Sequence, residues 1–249
     1  MKRVFVIGVI VLGMCLVSHA KEGLEVSYME IYRATEEQPV PDTYYWNLRT
    51  DGEKSSFVWI QDSIMPNWPE RMDGRYEVWK NVLAENELVF KGQVMNGLYY
   101  YKETIPTFGW ELLPGDTTIC EYPCQKARVT FRKKTWNVWY TLDIPYADGP
   151  WKLSGLPGLI LMAEDTEKNF LYTAYRIKQV SIDKWKLSLG KYLKTTASEY
   201  ASKKIRAYKD KTRIPIKYHP DGSFSMDSRD EIPDPQTVCL CEYFDDDKK

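Results

Sequence analysis

Four cysteines follow the N-terminal apolar segment, and their spacing permits either disulfide bonding or metal coordination. They form a C-x-x-x-C pair at Cys120 and Cys124 and a C-x-C pair at Cys239 and Cys241. An even number of cysteines in an exported chain favours disulfides. A bond within C-x-C would close a strained ring, because bonded cysteines have Cα atoms about 5–6 Å apart. We therefore predict cross-pairing between the two pairs, with copper(I) or zinc held by the four thiolates as the alternative. No cofactor is predicted.

The sequence gives little support for catalysis by histidine or by a carboxylate pair. His219 is the only histidine beyond the first twenty residues, whereas Ser-His-Asp, Cys-His and multi-histidine metal sites all need histidines elsewhere in the chain. Asp143, Asp148, Glu164 and Asp165 lie close in sequence, but acid–base work requires that burial separate the pKa values of two carboxylates. Turn capping by Asp143 and Asp148 is the simpler interpretation. We predict no catalytic residue and a non-enzymatic protein.

Aromatic residues are the other site-like feature, with nine tryptophans and eighteen tyrosines in the chain. Aromatic rings line binding grooves, but they also fill thin β-sheet cores. Strand alternation predicts that Trp136 and Trp139 face opposite sides of a sheet, and Trp151 is expected to pack beneath a loop. The candidate ligand- or partner-binding residues are Trp136, Trp139, Trp151, Gly155, Leu156, Pro157 and Gly158.

The segment 155–158 reads Gly-Leu-Pro-Gly and predicts a type II turn. Pro157 presets φ for the second position of that turn, and Gly158 would supply the positive φ of the third. Gly149-Pro150 marks another bend, and residues 159–162 suit a fully buried strand. The loop between these bends is either a packing element or a recognition surface.

The elements that must position these residues are mainly β-strands. Period-two alternation over residues 128–142, with a turn at Lys133-Lys134, predicts an antiparallel strand pair. Asp51-Gly52 predicts a hairpin turn, whereas Ser188–Lys209 shows helical spacing. The other predicted strands are Leu24–Arg33, Thr43–Thr50, Ser56–Gln61, Glu87–Phe90, Gly97–Glu103, Thr107–Pro114, Gly158–Glu164 and Asn169–Ile177. We expect a β-rich α+β fold, namely a curved antiparallel sheet or half-barrel with a C-terminal helix.

The first twenty residues predict a cleaved signal peptide. Lys2 and Arg3 precede an apolar run over 4–17, and Ser18-His19-Ala20 is a small-x-small cleavage site. Lipidation at Cys15 is the alternative, although Met14 is large for the position before such a cysteine. Cleavage would leave a β-rich domain at 21–187 and a helix with a cysteine-bearing tail at 188–249, without an integral membrane segment. We expect the periplasm, the outer-membrane surface or the extracellular space.

Several motifs together resemble the GLPGLI family, a group of exported proteins of Bacteroidota. The hexamer Gly155-Leu156-Pro157-Gly158-Leu159-Ile160 is intact, and the resemblance extends over roughly 107–177. The other residues that carry it are Trp110, the stretch 119–127, Phe131-Arg132, Trp136, Trp139, Asp143-Ile144-Pro145 and Asp148-Gly149-Pro150. The resemblance implies a β-rich fold and an envelope or extracellular location. It implies no reaction.

Three functions remain open on the sequence. The leading hypothesis is a non-enzymatic exported protein that binds an envelope protein or an apolar ligand. The second is a carrier of lipid or lipoprotein acyl chains, which requires a large apolar concavity in the half-barrel. The third is thiolate metal handling by the four cysteines. The near balance of 34 basic and 35 acidic residues does not suit a nucleic-acid partner.

Overall fold

One open, curved sheet of twelve strands forms the body of the protein. The computed structural model describes residues 21–32, 42–60, 76–209, 216–218 and 224–226. The sheet order is β12-β6-β5-β4-β3-β2-β1-β11-β10-β9-β8-β7, and β13 pairs with β14 in a separate hairpin. The elements are β1 Lys21–Tyr32, β2 Asp42–Thr50, β3 Ser55–Trp59, β4 Tyr76–Lys80, β5 Glu87–Val94, β6 Gly97–Thr104, β7 Glu111–Ile119, β8 Tyr122–Phe131, β9 Lys134–Thr141, β10 Leu159–Asp165, β11 Phe170–Ile182, β12 Leu193–Lys194, α1 Ala197–Lys209, β13 Ile216–Tyr218 and β14 Phe224–Met226. The β-rich fold class with a C-terminal helix is therefore confirmed.

The strand registers define two faces of the sheet. On the inner face, one cross-strand row runs through six buried apolar side chains, and a parallel row on the outer face is mixed in polarity. The inner row is Val26, Leu48, Phe57, Val78, Phe90 and Tyr101. The outer row is Ser27, Asn47, Val58, Glu77, Lys91 and Tyr100. Alternation along each strand therefore separates an apolar core from a surface that carries charge.

Several turns confirm or adjust the expectations from sequence. The turn at Asp51-Gly52 is present, with a Gly52 φ of 86° and with Asp51 Oδ1 accepting hydrogen bonds from the Glu53 and Lys54 backbone N–H groups. The β8–β9 turn lies one residue earlier than predicted, since Arg132 and Lys133 have positive φ and Lys134 already belongs to β9.

The helix α1 is shorter than the predicted span of 188–209. It begins at Ala197 because Thr196 and Glu199 form a capping box. The Glu199 N–H donates to Thr196 Oγ1 at 3.1 Å, and the Thr196 N–H donates to Glu199 Oε2 at 3.2 Å. The helix then packs on the inner face through Tyr200, which is 1% exposed and lies 5.2 Å from the Phe90 ring.

A crossover segment, residues 183–192, connects the middle of the sheet to one edge. It leaves β11 and returns as β12, which pairs in parallel with β6. Tyr192 lies on the outer face, with its ring centroid 4.5 Å from Lys91 Nζ. The segment therefore places an aromatic ring over the charged outer row.

Some sequence predictions concern residues outside the described ranges. These are the signal peptide at 1–20, a proline-rich loop at 65–73, His219, and the pair Cys239 and Cys241. Among the residues that the structure describes, no helical segment has the length and hydropathy of a bilayer span.

Candidate functional site

The loop 142–158 carries most of the residues singled out from the sequence, and it packs into the molecule. Trp151, Leu153 and Leu156 are at most 2% exposed, whereas Gly155 and Pro157 are exposed. The Leu159 N–H donates to the Ile144 carbonyl at 3.0 Å, which ties the start of the loop to β10. The candidate residues of this loop therefore form a folded plug with a small exposed tip.

The predicted type II turn is wrong in its conformational detail. Gly155, with a φ of 88°, occupies the left-handed region, and Gly158 does not. Gly158 is needed for another reason, because a Cβ atom there would lie 2.0 Å from the backbone oxygen of Thr141. Close approach of the loop to β9 therefore explains this glycine, and positive φ explains Gly155.

A buried lysine of β4 fastens the loop to the sheet. Lys80 is 4% exposed, and its Nζ lies 2.6 Å from Asp148 Oδ1. The same ammonium donates to the carbonyls of Gly149 and Leu153 at 3.3 and 3.1 Å. Three acceptors thus satisfy the charge, and Asp148 serves as its counter-ion as well as capping Gly149 N–H.

The other predicted carboxylates do not join Asp148 in a catalytic pair. Asp143 is exposed. Asp165 accepts a hydrogen bond from the Phe170 N–H at 2.8 Å and lies 3.3 Å from Lys134 Nζ, so it closes the β10–β11 turn.

A second buried lysine fastens the loop from its other side. Lys152 Nζ donates to the Tyr101 hydroxyl at 2.7 Å and lies 2.8 Å from Glu103 Oε1. Glu103 Oε2 pairs with Arg132 at 2.6 Å. Burial raises the pKa of Glu103, but the two cations outweigh it and hold that pKa below the ordinary value. This network joins β6, the loop and the β8–β9 turn.

The three candidate tryptophans lie in different places. Trp136 and Trp151 are in the core, 5.7 Å apart between ring centroids. Their indole N–H groups find no acceptor among the described residues, so packing alone orients them. Trp139 is half-buried on the opposite side of β9, with Lys126 Nζ 5.1 Å from its ring. The predicted alternation is confirmed, and the three rings do not share a surface.

The two described cysteines are free thiols. Cys124 is 1% exposed, and burial raises its pKa to about 11, which disfavours the reactive thiolate at neutral pH. Cys120 lies at the tip of the β7–β8 hairpin, and its Sγ donates to the Ala174 carbonyl at 3.3 Å. Since Cys239 and Cys241 lie outside the described residues, the cross-pairing stays a prediction. Within the described part, no three metal-ligating side chains converge.

The inner face is filled by the protein's own aromatic side chains. Stacked or tilted rings run from Phe57 through Trp46 and Tyr76 to Phe90 and Tyr101, with neighbouring centroids 4.1–5.6 Å apart. Each of these five side chains is at most 4% exposed. An acyl chain would therefore have to displace this cluster to occupy the concave side.

A pocket opens instead on the outer face, and we call it the Lys91 pocket. It lies between β3–β6 and the crossover segment, with a volume of about 260 Å³. Its walls include Trp59, Glu77, Lys91, Gln93, Leu98 and Tyr192. Taken at about 30 Å³ per water molecule, it holds about nine waters, and so it suits a small molecule.

An ion pair between a buried lysine and a half-buried glutamate forms the polar wall of this pocket. Lys91 Nζ lies 2.7 Å from Glu77 Oε2, and the Lys91 side chain is 7% exposed. The same oxygen accepts a hydrogen bond from Trp79 Nε1 at 2.7 Å. Glu77 Oε1 and Gln93 Oε1 accept no hydrogen bond from a described residue. The pocket thus offers two acceptors, the remaining N–H groups of Lys91 and an aromatic ring.

Sequence reasoning missed the Lys91 pocket. Glu77 lies on β4, which was not predicted, and Lys91 lies just beyond the predicted span Glu87–Phe90. Tyr192 lies a hundred residues further along and falls inside the predicted helix. The alternation of Glu77 with Tyr76 and Val78 is the one local signal that indicated this strand.

A protein-family comparison matches only a short part of the chain. Residues 129–162 match a family model described as "Protein of unknown function (Porph_ging)", within the region that carries the GLPGLI resemblance. None of the curated protein sequences matches this chain.

Solved structures show a similar fold. Two structures of PNGF-II, in space groups C2 and P21, superpose with TM-scores of 0.52 and 0.53 at 16% identity. They match over 75% of this chain, which spans 33% and 34% of their length. The LolA superfamily protein NE2245 from Nitrosomonas europaea matches over 68% of this chain and 88% of its own, at 10% identity. Its TM-score of 0.28 lies below the level that establishes a common fold.

Proposed function

We propose that this protein is an exported, non-enzymatic binding protein of the bacterial envelope, and that the Lys91 pocket holds a small neutral polyhydroxylated ligand such as a sugar unit. The observation that carries the proposal is the ion pair of buried Lys91 with half-buried Glu77, with its 2.7 Å separation, in the wall of an open pocket. The signal-peptide pattern at residues 1–20 supports export.

The charge balance of the pocket favours a neutral ligand. Lys91 and Glu77 neutralise one another at 2.7 Å. A bound anion would compete with Glu77 for Lys91, and a bound cation would compete with Lys91 for Glu77, so either one would break the ion pair. Leaving a buried charge without its partner is strongly unfavourable. A ligand with hydroxyl groups avoids this cost, because it can accept from Lys91 and donate to Glu77 Oε1 while the pair stays intact.

The remaining walls suit the ring of such a ligand. Tyr192 presents aromatic surface, which packs against C–H groups, and Gln93 adds an amide that both donates and accepts. A few polar groups placed among aromatic walls are typical of small-molecule sites. The pocket volume of about 260 Å³ accommodates one sugar ring.

Saturation-transfer NMR tests the proposal with glucose, galactose, mannose and N-acetylglucosamine as separate probes. We expect at least one of them to receive saturation from the wild-type protein. Glu77→Gln should weaken its binding by about tenfold or more, since a hydrogen bond to a charged group contributes about 1.5–3 kcal/mol. Tyr192→Ala should also weaken it, because it removes the aromatic surface of the pocket.

Glu87→Gln is the matched control. Glu87 pairs with Lys102 at 3.1 Å and is not part of the pocket wall, so its loss should leave binding unchanged. The proposal is contradicted if none of the four sugars binds. It is equally contradicted if Glu87→Gln weakens binding as much as Glu77→Gln.

A further inference from the structure

Charge is divided unevenly along the chain. Residues 183–209 contain eight lysines and arginines but only two acidic residues, whereas the whole chain has 34 basic and 35 acidic residues. The rest of the chain therefore carries an excess of acidic residues. The chain as a whole is nearly neutral, but residues 183–209, which form the crossover segment, β12 and α1, are strongly basic.

The exposed cations of this segment differ from the buried lysines of the sheet. Lys80 and Lys91, for example, are buried against carboxylates at 2.6 and 2.7 Å. Exposed basic side chains near β12 form no ion pair with any residue that the structure describes. They are Lys191, Lys194, Lys203 and Arg206. Lys203 also interacts with the Glu199 carboxylate one helical turn earlier, whereas the charges of the other three are available to a partner.

Two of these cations share a face of the sheet edge with an exposed leucine, whereas Lys194 pairs with Tyr100 of the outer row and lies on the opposite face. Leu193 of β12 is 62% exposed and pairs in register with Tyr99 of β6. Lys203 of α1 lies with its Nζ 5.5 Å from the same Tyr99 ring. Arg206 lies three residues after Lys203, on the same face of α1. We call Leu193, Lys203 and Arg206 the β12 edge patch.

The form of this edge disfavours an added strand as its partner. The strand β12 has only two residues, Leu193 and Lys194, and so it offers few backbone groups for pairing. Lysine on a short edge strand is a usual device against strand addition. The partner must instead engage the side chains, with anionic groups for the cations and an apolar region for Leu193.

We propose that the β12 edge patch docks the protein on an anionic lipid surface. Each lysine or arginine near such a surface contributes about fivefold to affinity, equivalent to about 1 kcal/mol. Leu193 can enter the boundary between headgroups and acyl chains, as apolar side chains of peripheral proteins do. A nucleic-acid backbone would engage the cations and leave the exposed leucine unused.

Co-sedimentation with lipid vesicles tests the proposal on the protein purified as the cell processes it. We expect binding to vesicles of equal parts phosphatidylcholine and phosphatidylglycerol, little binding to phosphatidylcholine alone, and weakening at high salt. The variant Lys203→Glu with Arg206→Glu should lose at least about twentyfold in affinity. Leu193→Ser should lose several-fold, and because this side chain is exposed the fold should be kept.

The matched control reverses two exposed cations elsewhere, Lys168→Glu with Arg176→Glu, which changes the net charge equally. It should retain wild-type binding, and so should the pocket variant Glu77→Gln, since lipid docking does not depend on the proposed function. Absence of binding to the anionic vesicles overturns the proposal. Equal losses in the control and the patch variant also overturn it, as does tighter binding to a DNA duplex than to the vesicles.

Discussion

At the scale of residues, buried lysines hold the loop 142–158 in place. Lys80 is 4% exposed and pairs with Asp148 at 2.6 Å. Lys80→Met should remove the cation and leave the Asp148 carboxylate buried without its counter-ion. We expect a loss of about 3–5 kcal/mol in the free energy of unfolding, measured by urea denaturation.

Lys102→Met provides the comparison for this loss. Lys102 also pairs with a carboxylate, that of Glu87, but its side chain is 37% exposed. Removing a solvent-exposed ion pair changes the free energy of unfolding by at most about 1 kcal/mol. Equal losses for the two variants would show that the Lys80 pair is not stabilised by its burial.

Gly158→Ala should be strongly destabilising because the added Cβ would lie 2.0 Å from the Thr141 oxygen. Overpacking costs about 1–3 kcal/mol even where side chains can move, and a strand backbone moves less easily. Gly190→Ala is the control, since a Cβ there meets nothing within 4 Å. Thermal unfolding should show a large decrease for the first variant and almost none for the second; similar melting temperatures would contradict the explanation.

Local rules predicted residues whose role depends on near neighbours. The turn at Asp51-Gly52 and the opposite orientations of Trp136 and Trp139 follow from short sequence patterns, and the structure has both. The counter-ion of Asp148 could not be predicted, because Lys80 lies 68 residues away in sequence. Gly158 was recognised as necessary for the wrong reason, since the carbonyl that it avoids belongs to another strand.

At the scale of elements, one ionic network joins β6, the loop and the β8–β9 turn. Glu103 is its centre, and Lys152 and Arg132 lie 2.8 and 2.6 Å from its oxygens. In the folded protein these cations lower the pKa of the Glu103 carboxyl below its ordinary value of 4.5. Glu103 therefore stabilises the fold above about that pH, and this stabilisation disappears as the pH falls through the lowered pKa.

Glu103→Gln tests this pH dependence. Urea denaturation between neutral and acid pH should show a shallower decline in stability for the variant than for the wild type, because the variant cannot bind the proton. Glu87→Gln, which alters an exposed pair, should retain the wild-type slope. An unchanged slope in Glu103→Gln would contradict the role assigned to this network.

Element prediction succeeded where alternation is long and failed where tertiary contacts decide. Trp136, Val138 and Tyr140 recur at every second position along β9, and this strand was predicted nearly to its ends. The strand β4 has only five residues, and four of them are buried or nearly so, so its pattern is weak. The helix was predicted too long because helical spacing continued through 188–196, whereas the capping box at Thr196 determines where α1 begins.

At the scale of the whole molecule, the inner face of the sheet forms the core and the outer face carries the pocket. The inner face is filled by aromatic rings and by the loop 142–158, so the motif that is most prominent in the sequence serves packing. The outer face carries the Lys91 pocket, whose walls come from four strands and the crossover segment. No local pattern could bring Glu77, Lys91 and Tyr192 together, because strand order and the crossover create that site.

The central claim is that a small ligand binds in the Lys91 pocket. The most direct test is the ¹H–¹⁵N spectrum of the tryptophan indoles during titration with a sugar from the saturation-transfer test. The indole N–H of Trp79 donates to the wall residue Glu77 at 2.7 Å. We predict that the Trp79 indole resonance shifts to saturation, while those of the buried Trp136 and Trp151 stay in place. Shifts confined to Trp136 and Trp151, or none at saturating sugar, would contradict the account.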